Sequence, residues 1–275
     1  MDEYRQINPD EVIQLVHRTK EIILDPARVK DISVKGAADY VTAADKGVQD
    51  FLEKELARLT PQAGLFAEEK INEKPDPTRA YWVLDPVDGT TNLIHDARFS
   101  AVSLALVEDG DPVMGIVYNP FTEETFTAVR GEGARLNGRP ITRPACSRLA
   151  DAVVSFGSSP YRKDFAKEMF PVCQRIFEQS SDFRRGGSAA LELCYTAIGR
   201  LDAYFERDLK PWDYSAGWLI AQEAGARCST FTGQPFPAFE NADILACAPG
   251  IYDVLLAQLP TFSQPLSHSG FPRNQ

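Results

Sequence analysis

The chain has 275 residues, of which 44% are hydrophobic and 25% are charged, as in ordinary globular proteins. Its net charge of −10 argues against binding to nucleic-acid backbones or anionic lipid. No apolar run is long enough to span a membrane, and the first residues lack the basic and apolar segments of a signal peptide. The five cysteines are scattered, which fits a reducing compartment. We therefore expect a cytoplasmic protein without nucleic-acid or membrane partners.

The N-terminal part predicts two helices. Asn8 followed by Pro9 is a typical helix start, and apolar residues then recur at helical spacing as far as Ile23, in a helix expected to end before Pro26. Thr42 and Asp45 have the spacing of a capping box, which predicts a second helix to residue 59. Capping alone explains Asp45 about as well as a functional role does. In the functional interpretation, Asp45 and Lys35 face the acidic corner described next.

The acidic corner follows a short apolar strand at residues 82–84. Asp85 stands at the strand's exit, Asp88 and Gly89 form a turn, and residues 90–92 can open a helix whose free amide groups suit an anion. Either aspartate alone is explained more simply as a turn or cap residue. Two carboxylates on a rigid corner beside an anion site point to metal-assisted phosphate chemistry.

A second short strand, residues 64–67, ends in Glu68 and Glu69. Adjacent carboxylates at a strand end are usually solvated surface. Here both strand ends can meet at one edge of a sheet, which would bring Glu68 to Asp85. Residues 70–80 are charged, contain two prolines and predict a surface loop.

The next part of the chain predicts an antiparallel meander. Its strands are expected at residues 100–107, 113–118 and 124–129. Asn137 and Gly138 are a strong two-residue hairpin signal. Residues 142–151 are interpreted as the crossing between an N-terminal half, 1–145, and a C-terminal half, 146–275.

The C-terminal half alternates strands and helices. Strands are predicted at residues 152–156, 182–185, 203–205, 226–229 and 244–248. Helices are predicted at residues 163–179, 188–198, 212–224 and 251–259. Pro171 is expected to kink the first of these helices. The tail after Pro260 is polar and is predicted to be loosely held, with His268 in solvent.

Taken together and in order, these motifs resemble the inositol monophosphatase family of magnesium-dependent, lithium-sensitive phosphatases. The resemblance covers nearly the whole chain. The matching segments lie at residues 35–45, 66–69, 85–92, 131–138, 186–190, 202–206 and 212–213. Each segment alone is a weak or moderate signal, whereas the whole set in this order is a strong one.

The resemblance implies alternating α/β/α/β/α layers, usually in a homodimer, and two to three Mg²⁺ ions for which Mn²⁺ can substitute. Glu68, Asp85 and the carbonyl of Val87 would hold one ion. Asp85, Asp88 and Asp213 would hold the second, and a third, weaker ion would lean on Glu68. Physical chemistry agrees, because clustered carboxylates repel a phosphate ester unless cations intervene. Oxygen ligands also favour Mg²⁺ or Mn²⁺ over zinc.

The resemblance also implies catalytic roles for Glu68, Asp45 and Thr90. Asp45 and Thr90 would form a hydrogen-bonded pair that orients and deprotonates the attacking water. Backbone N–H groups of Gly89 and Thr90 would receive the phosphate. The implied substrate-binding residues are Asp88, Gly89, Thr90, Gly187, Ser188, Ala189, Glu206 and Asp213. Leu93, Ser188 and Ser215 depart from the usual family residues, but none of these departures removes a metal ligand.

For the substrate we expect inositol 1-phosphate first and fructose 1,6-bisphosphate, or a broader range of sugar phosphates, second. Arg184 and Arg185 could bind a second phosphate, although surface charge explains them at least as well. A regulatory or binding protein that kept the fold without turnover is the hypothesis from another class. The full acid set argues against it.

Overall fold

The outermost layer of the fold consists of helices from the N-terminal part. The computed structural model describes residues 7–36, 38–70 and 73–260, and its first helices are α1 (Pro9–Arg18), α2 (Lys20–Ile23), α3 (Pro26–Lys30) and α4 (Ala43–Leu59). Asn8 caps α1, and Thr42 and Asp45 form the predicted capping box of α4. The single helix expected after Asn8 was wrong in extent. It breaks at Thr19, whose hydroxyl donates to the carbonyl of Val16 at 2.6 Å.

Between these helices lies a short antiparallel pair, β1 (Ile32–Gly36) and β2 (Asp39–Thr42), which was not predicted. A seven-stranded sheet follows. Its strands, in spatial order, are β3 (Gly64–Ala67), β4 (Tyr81–Asp88), β5 (Ala101–Glu108), β6 (Asp111–Asn119), β7 (Glu124–Val129), β8 (Ala134–Leu136) and β9 (Arg139–Ile141). Only β3 and β4 run parallel; the remaining pairs form the predicted meander. Asn137 and Gly138 make the predicted turn, both with positive φ.

A short helix, α5 (Thr90–Ile94), links β4 to β5. The second sheet has five strands, in the spatial order β11 (Asp182–Arg184), β10 (Val153–Phe156), β12 (Ala203–Leu209), β14 (Ala242–Cys247) and β13 (Arg227–Thr230). Its helices are α6 (Ala166–Phe177), α7 (Ala189–Ala197), α8 (Pro211–Glu223) and α9 (Tyr252–Leu256). Pro171 lies inside α6. The last helix is shorter than predicted at both ends, because a 3₁₀ turn at Pro249–Ile251 precedes it and its α-helical part stops at Leu256. The predicted loose tail with His268 lies outside the described residues.

Alternating side chains bind the layers together. Trp82 and Leu84 of β4 pack with the helices of the first layer, whereas Val83 faces α7 and α8. The opposite faces of α7 and α8 pack on the five-stranded sheet, and α6 and α9 cover the far side of that sheet. The layers therefore follow the order α/β/α/β/α, which confirms the expected fold class.

Helices α7 and α8 come from the C-terminal half, yet each contributes to the cores on both sheets. The boundary expected near residue 145 separates the strands of the two sheets, and the division into two halves stays a prediction. Within the described ranges, no helix combines the length and apolar character that a membrane span requires.

Candidate active site

The acidic corner lies at the end of β4. The pairing of β4 with β5 shifts register between Asp85 and Asp88, which remain paired with Ser103 and Ala101, so the two aspartates stand on either side of a bulge. One oxygen of Asp85 accepts from the N–H of Val87 at 2.9 Å. Gly89 then turns the chain into α5 with φ of +88°, and a Cβ there would lie 3.1 Å from the carbonyl oxygen of Gly187. The local sequence thus forces both aspartates onto a fixed bend.

Asp88 connects this corner to the central helices. Its Oδ2 accepts from the hydroxyl of Ser188 at 2.5 Å and from the N–H of Ala190 at 2.7 Å, both at the N-terminus of α7. Asp213, in the first turn of α8, is held in a similar way, because its Oδ2 accepts from the N–H of Lys210 at 2.7 Å. In both residues one carboxyl oxygen fixes the side chain and the other is left for the cavity.

Glu68 reaches the same place from β3. Its N–H donates to the carbonyl of Leu84 at 3.2 Å, which extends the parallel pairing one residue beyond β3 and brings the two strand ends together as predicted. Lys35 of β1 faces this group, with Nζ 3.2 Å from Oε1 of Glu68, and it also pairs with Glu69. The hairpin of β1 and β2 therefore closes over the acidic corner.

These side chains line a cavity of about 140 Å³. Of the predicted site residues, those that line it are Glu68, Asp85, Val87, Asp88, Gly89, Thr90, Gly187, Ala189, Glu206 and Asp213. Two others stand behind the wall. Asp45 accepts from the hydroxyl of Thr90 at 2.8 Å, and Ser188 donates to Asp88. The structure thus brings together carboxylates from four separate segments of the chain.

Burial and mutual repulsion dominate the electrostatics of the corner. Burial, and then the nearby Glu68, Asp88 and Asp213, raise the pKa of Asp85 well above its usual value. Burial raises the pKa of Asp88 to about 7 despite its two hydrogen bonds to α7. The pKa of Asp213 is also raised well above normal, first by burial and then by Asp88 and Glu68. Such a cluster is unfavourable unless positive charge joins it.

In the part of the chain that the structure describes, no three His, Cys, Asp or Glu side chains already stand as a metal-ligand set. Like-charged carboxylates keep apart in the absence of a cation, so spacing by itself does not decide the matter. The donor set does fit a divalent cation, because it consists of buried hard oxygens that share one cavity. The residues present therefore suit Mg²⁺ or Mn²⁺.

The opposite side of the cavity is built differently. Glu206 accepts from the N–H of Ser159 at 2.9 Å and from the hydroxyl of Tyr204. A Cβ at Gly157 would lie 1.8 Å from the carboxyl carbon of Glu206, so a side chain at this position would displace Glu206. Tyr161 also lines this side and was not predicted. The only sequence signal for it was the glycine- and proline-containing loop that follows a strand.

The structure separates the two arginines that were considered together. Arg185 lines the cavity, whereas Arg184 is exposed and pairs with Asp182 at 2.6 Å. The family departures do not disturb the acids. Leu93 packs in the core, and the hydroxyl of Ser215 donates to the carbonyl of Pro211 at 2.6 Å within α8.

Five alternating layers that enclose an acidic cavity define a class of protein, and the comparison with known families agrees. The chain belongs to the inositol monophosphatase family, which it matches over residues 8–264. It is thus a member of a phosphatase family, as its motifs predict.

Individual relatives carry two kinds of name. The Nus factor SuhB of Escherichia coli (strain K12) is 36% identical over 230 residues, which make up 83% of this chain and 85% of that protein. The inositol-1-monophosphatase of Rhizobium meliloti (strain 1021) is 39% identical over 194 residues, 70% of this chain and 73% of that one. The crystal structure of extragenic suppressor protein SuhB from Bartonella henselae superposes with a TM-score of 0.85 at 33% identity, and the match covers 91% of this chain and 97% of that chain.

Proposed function

We propose that the protein hydrolyses a small phosphate monoester with the help of Mg²⁺, and that inositol 1-phosphate is its preferred substrate. The observation that carries this proposal is the meeting of Glu68, Asp85, Asp88 and Asp213 in one cavity, opposite Glu206. A relative at 39% identity is named for the same activity, which supports this choice of substrate.

Glu68, Asp85 and the carbonyl of Val87 would hold one Mg²⁺, and Asp85, Asp88 and Asp213 a second. A third, more weakly bound Mg²⁺ would be coordinated by Glu68 and water. Mn²⁺ can substitute for Mg²⁺. Bound Mg²⁺ supplies the positive charge that a phosphate ester needs in this acidic cavity and makes water more acidic.

Thr90 and Asp45 are assigned to the attacking water. The hydroxyl of Thr90 is 2.8 Å from Oδ1 of Asp45 and 3.1 Å from the carbonyl oxygen of Val87, and it has one proton to donate. When it donates to Asp45, its oxygen is free to accept a hydrogen bond from water. Burial raises the pKa of Asp45, which makes this carboxylate a better proton acceptor.

The two ends of the substrate are assigned to different segments. The phosphate lies at the backbone N–H groups of Gly89 and Thr90. The alcohol lies against Gly187 and Ala189, with a hydroxyl group donating to Glu206. Both oxygens of Glu206 already accept from the protein, but each retains a second lone pair for the substrate.

Release of phosphate from inositol 1-phosphate, measured with and without Mg²⁺, tests this proposal. We expect turnover that requires the ion and that falls in a lithium titration. A panel of sugar phosphates and bisphosphates completes the experiment. If folded protein with Mg²⁺ released no phosphate from any compound of the panel, the proposal would be overturned.

Fructose 1,6-bisphosphate is the second candidate, because Arg185 brings a cation to the alcohol side of the cavity. The neighbouring Arg184 provides a matched control, since it is exposed and paired with Asp182. Arg185→Ala should lower kcat/KM for the bisphosphate about tenfold, the effect of one charged hydrogen bond, and Arg184→Ala should not. Equal effects of the two substitutions would remove Arg185 from this role.

A binding or regulatory role without turnover is the candidate from another class, and the relatives named Nus factor favour it. Phosphate release distinguishes the two candidates directly. An acidic chain of net charge −10 argues against nucleic acid or anionic membrane as the direct partner. The expected cytoplasmic location stays a prediction.

We also propose a homodimer. Strand β11 is an edge strand of the five-stranded sheet. On the adjacent helix α6, Phe170 and Phe177 are 57% and 55% exposed. A sheet edge beside exposed aromatic side chains is typical of a surface that another chain covers. Light scattering should give about twice the 30.5 kDa mass of one chain, and a mass of one chain would reject the dimer.

A further inference from the structure

Glu192 is a buried carboxylate that the proposed chemistry does not use. It lies on α7, is 1% exposed and does not line the cavity. Its Oε1 accepts from the hydroxyl of Ser155 and from the N–H of Gly186 at 2.9 Å. Its Oε2 is buried and makes no hydrogen bond of ordinary geometry among the described residues, although the N–H of Gly187 is close enough to lower the pKa of the group. Burying a carboxyl group with an incompletely hydrogen-bonded oxygen costs folding free energy, so we expect a functional role that explains it.

The contacts of Glu192 lie where two strands end. Strands β10 and β11 run parallel, and the last pair in their register is Ser155 with Arg184. Beyond that pair the backbone ladder stops. Glu192 bridges the ends of the two strands, because it accepts from the side-chain hydroxyl of Ser155, in the last pair, and from the N–H of Gly186, two residues beyond that pair.

The two diverging segments form the walls of the alcohol side of the cavity. Gly157, Pro160 and Tyr161 follow β10, and Arg185 and Gly187 follow β11. Parallel strands leave a sheet at the same end, so both walls depend on how the strands are held together there. The carbonyl of Gly186 also accepts from Asn92 at 3.0 Å, which ties the second wall to α5.

We propose that Glu192 is a positioning residue that joins these two walls and thereby sets the affinity of the site for the alcohol part of the substrate. It acts through Ser155 and Gly186 and does not touch the reacting atoms. Burial raises the pKa of Glu192 to about 7, as expected for a carboxyl group held in an apolar interior for its hydrogen bonds.

The substrate part of this proposal rests on the proposed phosphatase function. It is tested by measuring whether a substitution at Glu192 changes KM without changing kcat. Glu192→Leu should raise KM for inositol 1-phosphate about tenfold and leave kcat within about threefold, because only contacts to the alcohol are loosened. The inhibition constant of inorganic phosphate and the Mg²⁺ requirement should not change. Glu192→Gln keeps an acceptor oxygen and should restore KM to within about threefold of the original value.

Glu223 offers a matched control. Its carboxylate likewise accepts from two backbone N–H groups of a glycine-rich turn, those of Gly131 and Gly133, each at 2.9 Å. This turn does not line the cavity. Glu223→Leu should therefore leave KM unchanged even if it lowers the melting temperature. Should Glu192→Leu fail to fold, Ser155→Ala removes one donor only and should raise KM about threefold, less than Glu192→Leu does, because the hydrogen bond from Gly186 remains.

Hydrogen exchange in the absence of substrate tests, independently of turnover, whether Glu192 holds the two walls together. Amides at residues 157–161 and 185–188 should exchange about tenfold faster in Glu192→Leu than in the original protein, and at the original rate in Glu223→Leu. Unchanged exchange in Glu192→Leu, or an equal KM rise in both leucine variants, would overturn the proposal that Glu192 holds the two walls together. If the original protein releases no phosphate, the proposed phosphatase function fails, and the exchange result still decides whether Glu192 joins the walls.

Discussion

The two sides of the cavity hold their carboxylates in opposite ways. On the cation side, Asp88 and Asp213 are each fixed through one oxygen by a helix N-terminus, and burial with mutual repulsion raises the pKa of both. On the alcohol side, both oxygens of Glu206 accept hydrogen bonds from the protein. On the first side the carboxylates outnumber the cations that face them, such as Lys35 beside Glu68, whereas the carboxylate of the second side is largely satisfied within the protein.

This difference separates chemistry from recognition. A cluster of under-compensated charges binds cations strongly and contributes to the reacting centre. A hydrogen-bonded carboxylate with spare lone pairs holds its shape and accepts a hydroxyl group from the substrate. Substitutions on the cation side should therefore lower kcat, and substitutions on the alcohol side should raise KM.

The largest effect is expected at Asp88. Asp88→Asn should lower kcat/KM by roughly a thousandfold or more, as for loss of a group that stabilises charge in the transition state. The melting temperature of the metal-free protein should stay the same or rise, because a buried charge is removed while an acceptor oxygen remains for Ser188 and Ala190. Phosphate-release kinetics and thermal unfolding measure both. Retained turnover would exclude Asp88 from the mechanism.

Thr90 should come next. Thr90→Ala removes the hydroxyl that contacts Asp45 and should lower kcat about a hundredfold, the size typical of a proton-transfer contribution. Thr90→Ser keeps the hydroxyl and should stay within about threefold. Initial rates at saturating Mg²⁺ compare the pair. Equal losses in both variants would indicate that the methyl group matters rather than the proton path.

Glu206→Gln should sharpen the contrast from the alcohol side. We expect KM to rise about tenfold with little change in kcat, because one charged acceptor for a substrate hydroxyl is weakened. Saturation curves for inositol 1-phosphate measure both constants. A fall in kcat as large as that of Asp88→Asn would contradict the division between the two sides.

The smallest effect is expected in thermal unfolding. A carboxyl group whose pKa is raised on folding binds more protons in the folded state, so stability falls as pH rises from about 4 through that pKa. Asp88 and Glu192 both have folded-state pKa values of about 7. The metal-free protein should therefore melt at a lower temperature at pH 8 than at pH 5.5.

Mg²⁺ should compensate the part of this loss that arises on the cation side. At a hundredfold excess over its Kd the ion adds about 2.7 kcal/mol, which raises the melting temperature by about 5 °C or more. The increase should be larger at pH 8 than at pH 5.5, because protons compete with the ion. Scanning calorimetry at the two pH values measures this difference. An equal Mg²⁺ effect at both values would show that protons and the ion do not share these carboxylates.

Much of the fold was predictable where local interactions decide the structure. The capping box of Thr42 and Asp45 is a contact over three residues, and the hairpin turn at Asn137 and Gly138 needs only positive φ angles. The break at Thr19 was missed because a threonine inside a helical pattern carries no clear stop signal.

The candidate site was likewise predictable only where short sequence motifs decide the structure. Its acids were predicted because Asp and Glu stand in short motifs at strand and helix ends. The contacts that orient them were predicted only in part. The resemblance implies the pair of Asp45 and Thr90, whereas Ser188, which lies 100 residues from the Asp88 that it supports, was assigned to the substrate. Tyr161 and the joint at Glu192 had no motif at all.

The order of most helices and strands and the identity of the acidic residues follow from the sequence itself, because periodicity, caps and turns act over a few residues. The α/β layering was expected only because the motifs resemble a known family. The convergence of the acidic residues into one cavity is a result of tertiary structure. Strand β4 delivers Asp85 and Asp88, β3 ends in Glu68, and α8 begins near Asp213, so only the stacking of two sheets around shared helices brings these charges together. Packing of apolar faces supplies the free energy that holds such like charges close, and no local pattern encodes it.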